Sequence, residues 1–264
     1  ISVCIITLLG AALAWAGGSG GLVRADVSVF IWCAGLAFGL NWLVYVPSAL
    51  ARTEHYYDLT GGLTYLSVTG LAVLLSQPLD LRSTLVVGMV SIWAIRLAGF
   101  LFVRVKRVGK DIRFDSVKTK PSTFLVWWTL QALWVLTTMA AALAIVTGGE
   151  RISMSWLGWI GLGIWLFGFA VEVVADAQKS SFKNDPVNQG HFIRTGLWAW
   201  SRHPNYFGEI VLWTGVAVMA IPVLTGWQYA TLISPVFVSF LLMKMSGVPL
   251  LERKADERWG GQEE

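Results

Sequence analysis

Charge is what this sequence has least of. Only 14% of its 264 residues are Asp, Glu, Lys or Arg, where a soluble domain carries about 25%. With 55% hydrophobic residues and a mean hydropathy of +0.62, that scarcity excludes an ordinary soluble domain and indicates a membrane protein. Cysteine is nearly absent: Cys4 and Cys33 both lie in apolar runs, so neither a disulfide framework nor a CxxC metal motif can be built. The three histidines, His55, His191 and His203, sit far apart in loops. That spacing offers neither the histidine-rich cluster of iron-dependent membrane desaturases nor the facing histidines of a transmembrane haem, and no metal site is expected. No GxGxxG follows a strand and no GxxxxGK[ST] occurs, so a nucleotide would be held without a Rossmann or P-loop fold. No RNP, zinc-finger or helix-turn-helix pattern interrupts the apolar runs. The net charge of +4 therefore reads as a determinant of membrane orientation, and no nucleic-acid partner is expected.

What the chain does have is apolar runs near the roughly 20 residues that cross a bilayer. They fall near 1–16, 27–46, 59–76, 84–103, 123–147 and 156–175, with shorter ones at 206–221 and 227–245 separated by the Pro222 and Gly226 break. We expect eight spans, with seven as the alternative if the last two form a hairpin. Fifteen tryptophans, several at run ends, suit the membrane interface. The chain begins at Ile1 and stops at "GGQEE", so both ends are expected to be trimmed or disordered. The expected fold class is all-α: one transmembrane helical bundle over 1–264, with a cofactor pocket opening to the cytoplasm.

Orientation follows from the basic residues. With the N-terminus inside, the external loops hold Arg24, Arg82 and Arg151, Arg96 lies within a span, and the rest of the 20 Lys and Arg residues fall on the cytoplasmic side, as the positive-inside rule requires. The polar stretches "ARTEHYYD", "GKDIRFD", "ADAQKSSFKNDPVNQGHFIRTG", "SRHPNYFGE" and "LLERKADERWG" share that side, within reach of a soluble cofactor. The external loops are short and chemically plain.

Ionisable residues inside a membrane are costly and functional by default. Arg96, Glu172 and Glu209 qualify, and an ordinary structural ion pair is the competing reading of Arg96 and Glu209. In "SRHPNYFGE", Pro204 turns His203 out of helical geometry and starts a helix. Asn205 and Glu209 then share a face, with Arg202 just outside. A helix start flanked by Arg and His suits a phosphate or carboxylate, while snorkelling cations at a membrane boundary would look similar. In "ARTEHYYDLTGG", Glu54 and Asp58 are expected on one helical face with Tyr57 between them. A carboxyl beside a phenol can donate hydrogen bonds to a ketone as charge develops on its oxygen, although Tyr is also common at that depth. The basic loop from Arg104 to Lys120 attracts anionic lipid, and Arg107 and Arg113 within it would also suit a phosphate-rich cofactor.

"WSRHPNYFGEIVLWTG" resembles the C-terminal stretch of the membrane steroid 5-alpha-reductase family and of related bacterial membrane proteins of the DUF1295 type. Sterol reductases have a similar Arg-His-Pro-Asn-Tyr sequence. The resemblance extends from about Ile92 to Trp259, is strongest over 172–213, and is supported by "VPLLERKADERWG". Isoprenylcysteine and phospholipid methyltransferases share an Arg-His-Pro-x-Tyr-x-Gly core that holds S-adenosylmethionine, but Asn205 followed by Glu209 looks like the reductase form. The resemblance implies an NADPH site that includes Arg96, Asp176, Lys183, His191, Arg194, Arg202, His203, Asn205, Tyr206 and Glu209. It also implies variable N-terminal spans over 1–90 lining the substrate end, and a cofactor-binding region over 91–264. The N-terminal half departs from the family, with Thr53 and Glu54 where a Gln-Glu pair is usual and Trp93 near the position of the ketone-contacting Tyr. The activity it implies is hydride transfer from NADPH to an enone lipid of 3-oxo-Δ4-steroid type in a bacterial inner membrane, with Glu54 and Tyr57 polarising the carbonyl. The alternative is an S-adenosylmethionine-dependent membrane methyltransferase.

Overall fold

The computed structural model describes residues 2–108, 114–245, 248 and 252, with only the backbone for 100–108. The protein is helical with almost no sheet. Its helices are α1 (Ser2–Gly18), α2 (Val29–Leu50), α3 (Tyr57–Leu75), α4 (Leu81–Val108), α5 (Pro121–Thr147), α6 (Trp156–Asn184), α7 (Pro204–Ala220) and α8 (Ile233–Phe240). Among the described residues seven segments are long and apolar enough to cross a membrane, the last two being Pro204–Val223 and Gly226–Met245; α1 is apolar but shorter. The expected all-α class is met with seven such segments, the last two runs both among them and α1 the one that falls short, and the chain is an integral membrane protein by helix length and composition.

Two compact units divide the chain. Unit 1 comprises residues 1–158 and 220–233, and α5 is its axis. The Ala-rich run from Met139 to Val146 is buried all round, and 83% of the α5 membrane window is buried against 39% for each of α2, α3 and α4. A helix apolar on every face belongs at the centre of a bundle. Around it α1, α2, α3 and α4 pack directly.

Expected external loops meet one another at one end of unit 1. The backbone N–H of Leu22 donates to Thr147 O at 2.8 Å, and Arg151 donates to Ser76 O (2.8 Å) and Ser83 Oγ (3.0 Å). Arg82, buried in α4, donates to Ser153 O and Ser155 Oγ. Trp15 packs on Trp227. Four chain reversals on one end are what alternating spans produce. A short hairpin, β1 (Val23–Arg24) with β2 (Val27–Ser28), also lies here. Its two turn residues, Ala25 and Asp26, both have positive φ (49° and 61°), the geometry whose twist matches paired strands.

At the other end of α2 the helix stops in a left-handed cap. Arg52 has φ +50°, Thr53 N–H donates to Ser48 O at 2.9 Å and Arg52 N–H to Ala49 O, a hydrogen-bond pair that usually recruits glycine. The next helix begins only at Tyr57. Glu54 is therefore in the connection, which corrects the expectation that it shares a helical face with Asp58.

Unit 2 comprises residues 159–219 and 234–264. Its seam is made by glycines seven apart on each helix: Gly161 and Gly168 on α6, Gly208 and Gly215 on α7. A Cβ on Gly161 would lie 2.6 Å from Gly215 O, one on Gly168 would lie 2.5 Å from Leu212 N, and one on Gly208 would lie 2.7 Å from Glu172 N. The order of these partners makes the helices antiparallel, and the distances allow only hydrogen on those α carbons. The seam brings the last turns of α6 beside the first turn of α7.

Candidate functional site

The polar residues of unit 2 gather where α6 ends and α7 begins. Pro204 is the first residue of α7, as expected, and Phe207 N–H donates to His203 O across it. About two turns inside the end of α6, Asp176 Oδ1 accepts from Asn205 Nδ2 at 3.1 Å. The close Gly208–Glu172 approach is what makes this pairing geometrically possible. Glu172 is 5% exposed, and Tyr206 and Glu209 lie partly buried on the same first turns of α7.

The connection from 185 to 203 folds back onto α6. Trp198 Nε1 donates to Ala175 O at 2.9 Å, Leu197 N–H donates to Gln178 Oε1 at 3.0 Å, and Lys179 Nζ lies 4.4 Å over the Trp198 ring. Gly196, at φ +62° with Gln178 against its α carbon, is where the chain turns. Lys183, His191 and Arg194 are exposed on this connection and the helix end before it, and the Arg194 guanidinium stacks 4.2 Å from the Phe192 ring.

His203 is the most constrained member of the group. Its ring stacks on Tyr206, with centroids 5.4 Å apart and planes 11° from parallel. His203 Nε2 meets Glu252 Oε1 at 2.8 Å, and Arg202 Nη1 donates to Glu252 Oε2. These contacts, the His203 hydrogen bond foremost, hold the Glu252 carboxyl below the usual carboxylate range, against an opposing effect of burial. Two buried atoms here have no hydrogen-bond partner among the described residues, His203 Nδ1 and Asn205 Oδ1. Buried polar atoms are rarely left so.

In unit 1, Glu54 is 6% exposed and accepts from Lys118 Nζ at 2.9 Å; Lys118 also lies 3.3 Å from Asp115. The hydrogen bond to Glu54 holds the Lys118 ammonium above its ordinary range. The Tyr57 hydroxyl donates to Trp127 O at 2.9 Å, and its ring packs among Phe114 and Trp128. Behind them Gln131 Nε2 donates to Tyr57 O and Asn41 Oδ1, and Asn41 Nδ2 donates to Thr64 Oγ1. Arg96 lies partly buried on α4. The Arg107 side chain and Arg113 lie outside the described residues.

The structure thus brings Asp176, Arg202, His203, Asn205, Tyr206 and Glu209 together in unit 2, with Lys183, His191 and Arg194 on the adjoining connection. Glu54 and Tyr57 adjoin in unit 1, each with a partner of its own. Lys118 and Glu252 were not expected as members. Lys118 read as one of many orienting cations, and its pairing across 64 residues leaves no local pattern; Glu252 lies in a stretch whose resemblance named no role for it.

A family model described as "Protein of unknown function (DUF1295)" matches residues 44–264. An uncharacterized protein of Schizosaccharomyces pombe is 34% identical over 89 residues, covering 27% of this chain and 26% of that protein. The probable O-methyltransferase ustE of Ustilaginoidea virens is 26% identical over 129 residues, 46% of this chain and 45% of that protein. The chain therefore spans about a quarter of the first relative and under half of the second. No solved structure matches.

Proposed function

The chain belongs to the DUF1295 family of membrane proteins, and on that premise we propose that it is an NADPH-dependent reductase of a conjugated enone lipid, of 3-oxo-Δ4-steroid type. We place its cofactor site on the cytoplasmic face of a bacterial inner membrane. The observation that carries this reading is the Asp176–Asn205 hydrogen bond: two residues that the steroid-reductase resemblance assigns to one cofactor meet at the junction of α6 and α7. The partnerless buried atoms Asn205 Oδ1 and His203 Nδ1 fit a ligand carrying N–H and O–H donors, as the ribose and carboxamide of NADPH do. Asp176, Asn205, Tyr206 and Glu209 would hold those groups, and Lys183, His191 and Arg194 would meet its phosphates.

NADPH, when bound, supplies a hydride for the β carbon of the enone, and a proton from water completes the α carbon. The protein's own task is to stabilise charge on the carbonyl oxygen. Lys118, held by Glu54, is a donor of the required kind, and the Tyr57 hydroxyl is a second if it exchanges Trp127 O for the substrate. Glu54 in this role fixes the ammonium and keeps it charged.

The similarity to ustE favours a second reading, an S-adenosylmethionine-dependent methyltransferase using the same α7 entry. Thermal-shift titration of detergent-purified protein with NADPH, NADH and S-adenosylmethionine separates the two, because a ligand bound only by the native state raises the melting temperature. Stabilisation by NADPH that is lost in Asn205→Ala supports the reductase. Stabilisation by S-adenosylmethionine alone transfers the protein to the second reading.

A further inference from the structure

Glu252 holds two donors with one group. Its carboxylate places Oε1 on His203 Nε2 and Oε2 on Arg202 Nη1, the two-oxygen, two-donor arrangement with which a phosphate or a ligand carboxylate engages cations. The contact lies at the solvent boundary, not in the core: the Arg202 side chain is 75% exposed and that of Glu252 29%. Ion pairs so placed contribute little net stability, and an arriving anion has access to the Arg202 guanidinium, beside a His203 side chain that is 17% exposed. Asp176 accepts from Asn205, and among the described residues Glu252 is a carboxylate that bridges this pair of donors.

We propose that Glu252 is an internal competitor: it occupies the Arg202–His203 anion subsite in the ligand-free protein and is displaced by the phosphate of an arriving cofactor. This rests on the reading of the α7 entry as a cofactor site and adds a regulatory residue to it. Arg202 and His203 then serve two anions in turn, and the affinity for a phosphate-bearing ligand is set by the difference between them. Without the internal carboxylate the Arg202 guanidinium and the His203 Nε2 lose the anion that bridges them. Glu252→Gln preserves the shape of the side chain while removing its charge.

The test measures binding of inorganic pyrophosphate and of NADPH to the detergent-purified full chain, by calorimetry, for the unmodified protein, Glu252→Gln and Asp185→Asn. Asp185 caps the 3-10 segment Pro186–Asn188, and its replacement controls for a general loss of negative charge. Glu252→Gln should bind pyrophosphate roughly two- to fivefold more tightly, the range that loss of an exposed ion pair allows, and Asp185→Asn should not. Equal or weaker binding by Glu252→Gln, or equal tightening by Asp185→Asn, overturns the proposal. If pyrophosphate tightens but NADPH binds neither protein, the competitor stands and the reductase reading falls. If NADPH binds both with no gain in Glu252→Gln, the reductase reading stands and the competitor falls.

Discussion

Adding a methyl group to the α6–α7 seam should separate the two helices, and two glycines two residues apart provide the contrast. A Cβ on Gly161 would lie 2.5 Å from Met219 Cγ, 2.6 Å from Gly215 O and 2.8 Å from Met219 N. The Met219 side chain can swing away, but the two backbone atoms move only with their helix, so relief requires α7 to shift bodily. Overpacking of this kind costs about 1–3 kcal/mol. On the scale of domains this size, at about 2–4 °C per kcal/mol, Gly161→Ala should lower the melting temperature by roughly 2–12 °C. A Cβ on Gly163 meets nothing within 4 Å. Gly163→Ala should therefore be neutral, or stabilising by up to about 1 kcal/mol through reduced backbone freedom. The assay is thermal unfolding of both variants in one detergent, followed by tryptophan fluorescence. Equal shifts in the two variants, or a neutral Gly161→Ala, would refute the seam.

Gly208→Ala should weaken NADPH binding as well as stability, because its Cβ would press on Glu172 N one turn from the Asp176–Asn205 bond; retained affinity in calorimetry would uncouple the seam from the site. Lys118→Met removes the ammonium that donates to the buried Glu54 carboxylate and should lower stability by about 1–3 kcal/mol, and adding Glu54→Gln should restore part of the loss. Glu54→Gln alone should remove most turnover of an enone while NADPH still binds; unchanged turnover removes Glu54 from the mechanism. Because the Glu252 carboxyl is held below its ordinary range, its contribution is present above about pH 4.3 and is lost as pH falls through the lower folded value. The small melting-temperature difference between the unmodified protein and Glu252→Gln should thus hold at neutral pH and close in acid. Lys118, held above its ordinary range, acts in the opposite direction: its contribution is present below about pH 10.4 and is lost as pH rises through the raised folded value.

The spans were readable because a bilayer imposes one length on every apolar run, and α7 begins at Pro204 because proline cannot continue a preceding helix but starts one readily. The loops poor in Lys and Arg were expected on a common side, and the structure joins them at one end of unit 1. The hairpin after α1 was not readable, since its left-handed turn is made by Ala25 and Asp26, neither of them glycine. The same limit misplaced Glu54: α2 ends in a left-handed Arg52, and the residue type gives no warning. The glycine pairs 161/168 and 208/215 are visible in the sequence, but which helix faces which is a tertiary fact. Contacts across long separations, Glu54 with Lys118 and Glu252 with His203, leave no periodic trace at all.

The central claim is that this protein transfers a hydride, and one experiment addresses it directly. The purified protein, reconstituted in lipid vesicles, is incubated with an enone steroid and a lipid extract. Two labelled cofactors are present together: NADPH bearing deuterium at the transferable position and S-adenosylmethionine bearing a trideuterated methyl group. Mass spectrometry of the lipid products should find single deuterium in a saturated ketone, lost in Asn205→Ala. A trideuteriomethyl group on any lipid, with no deuterium at the former double bond, would contradict the account.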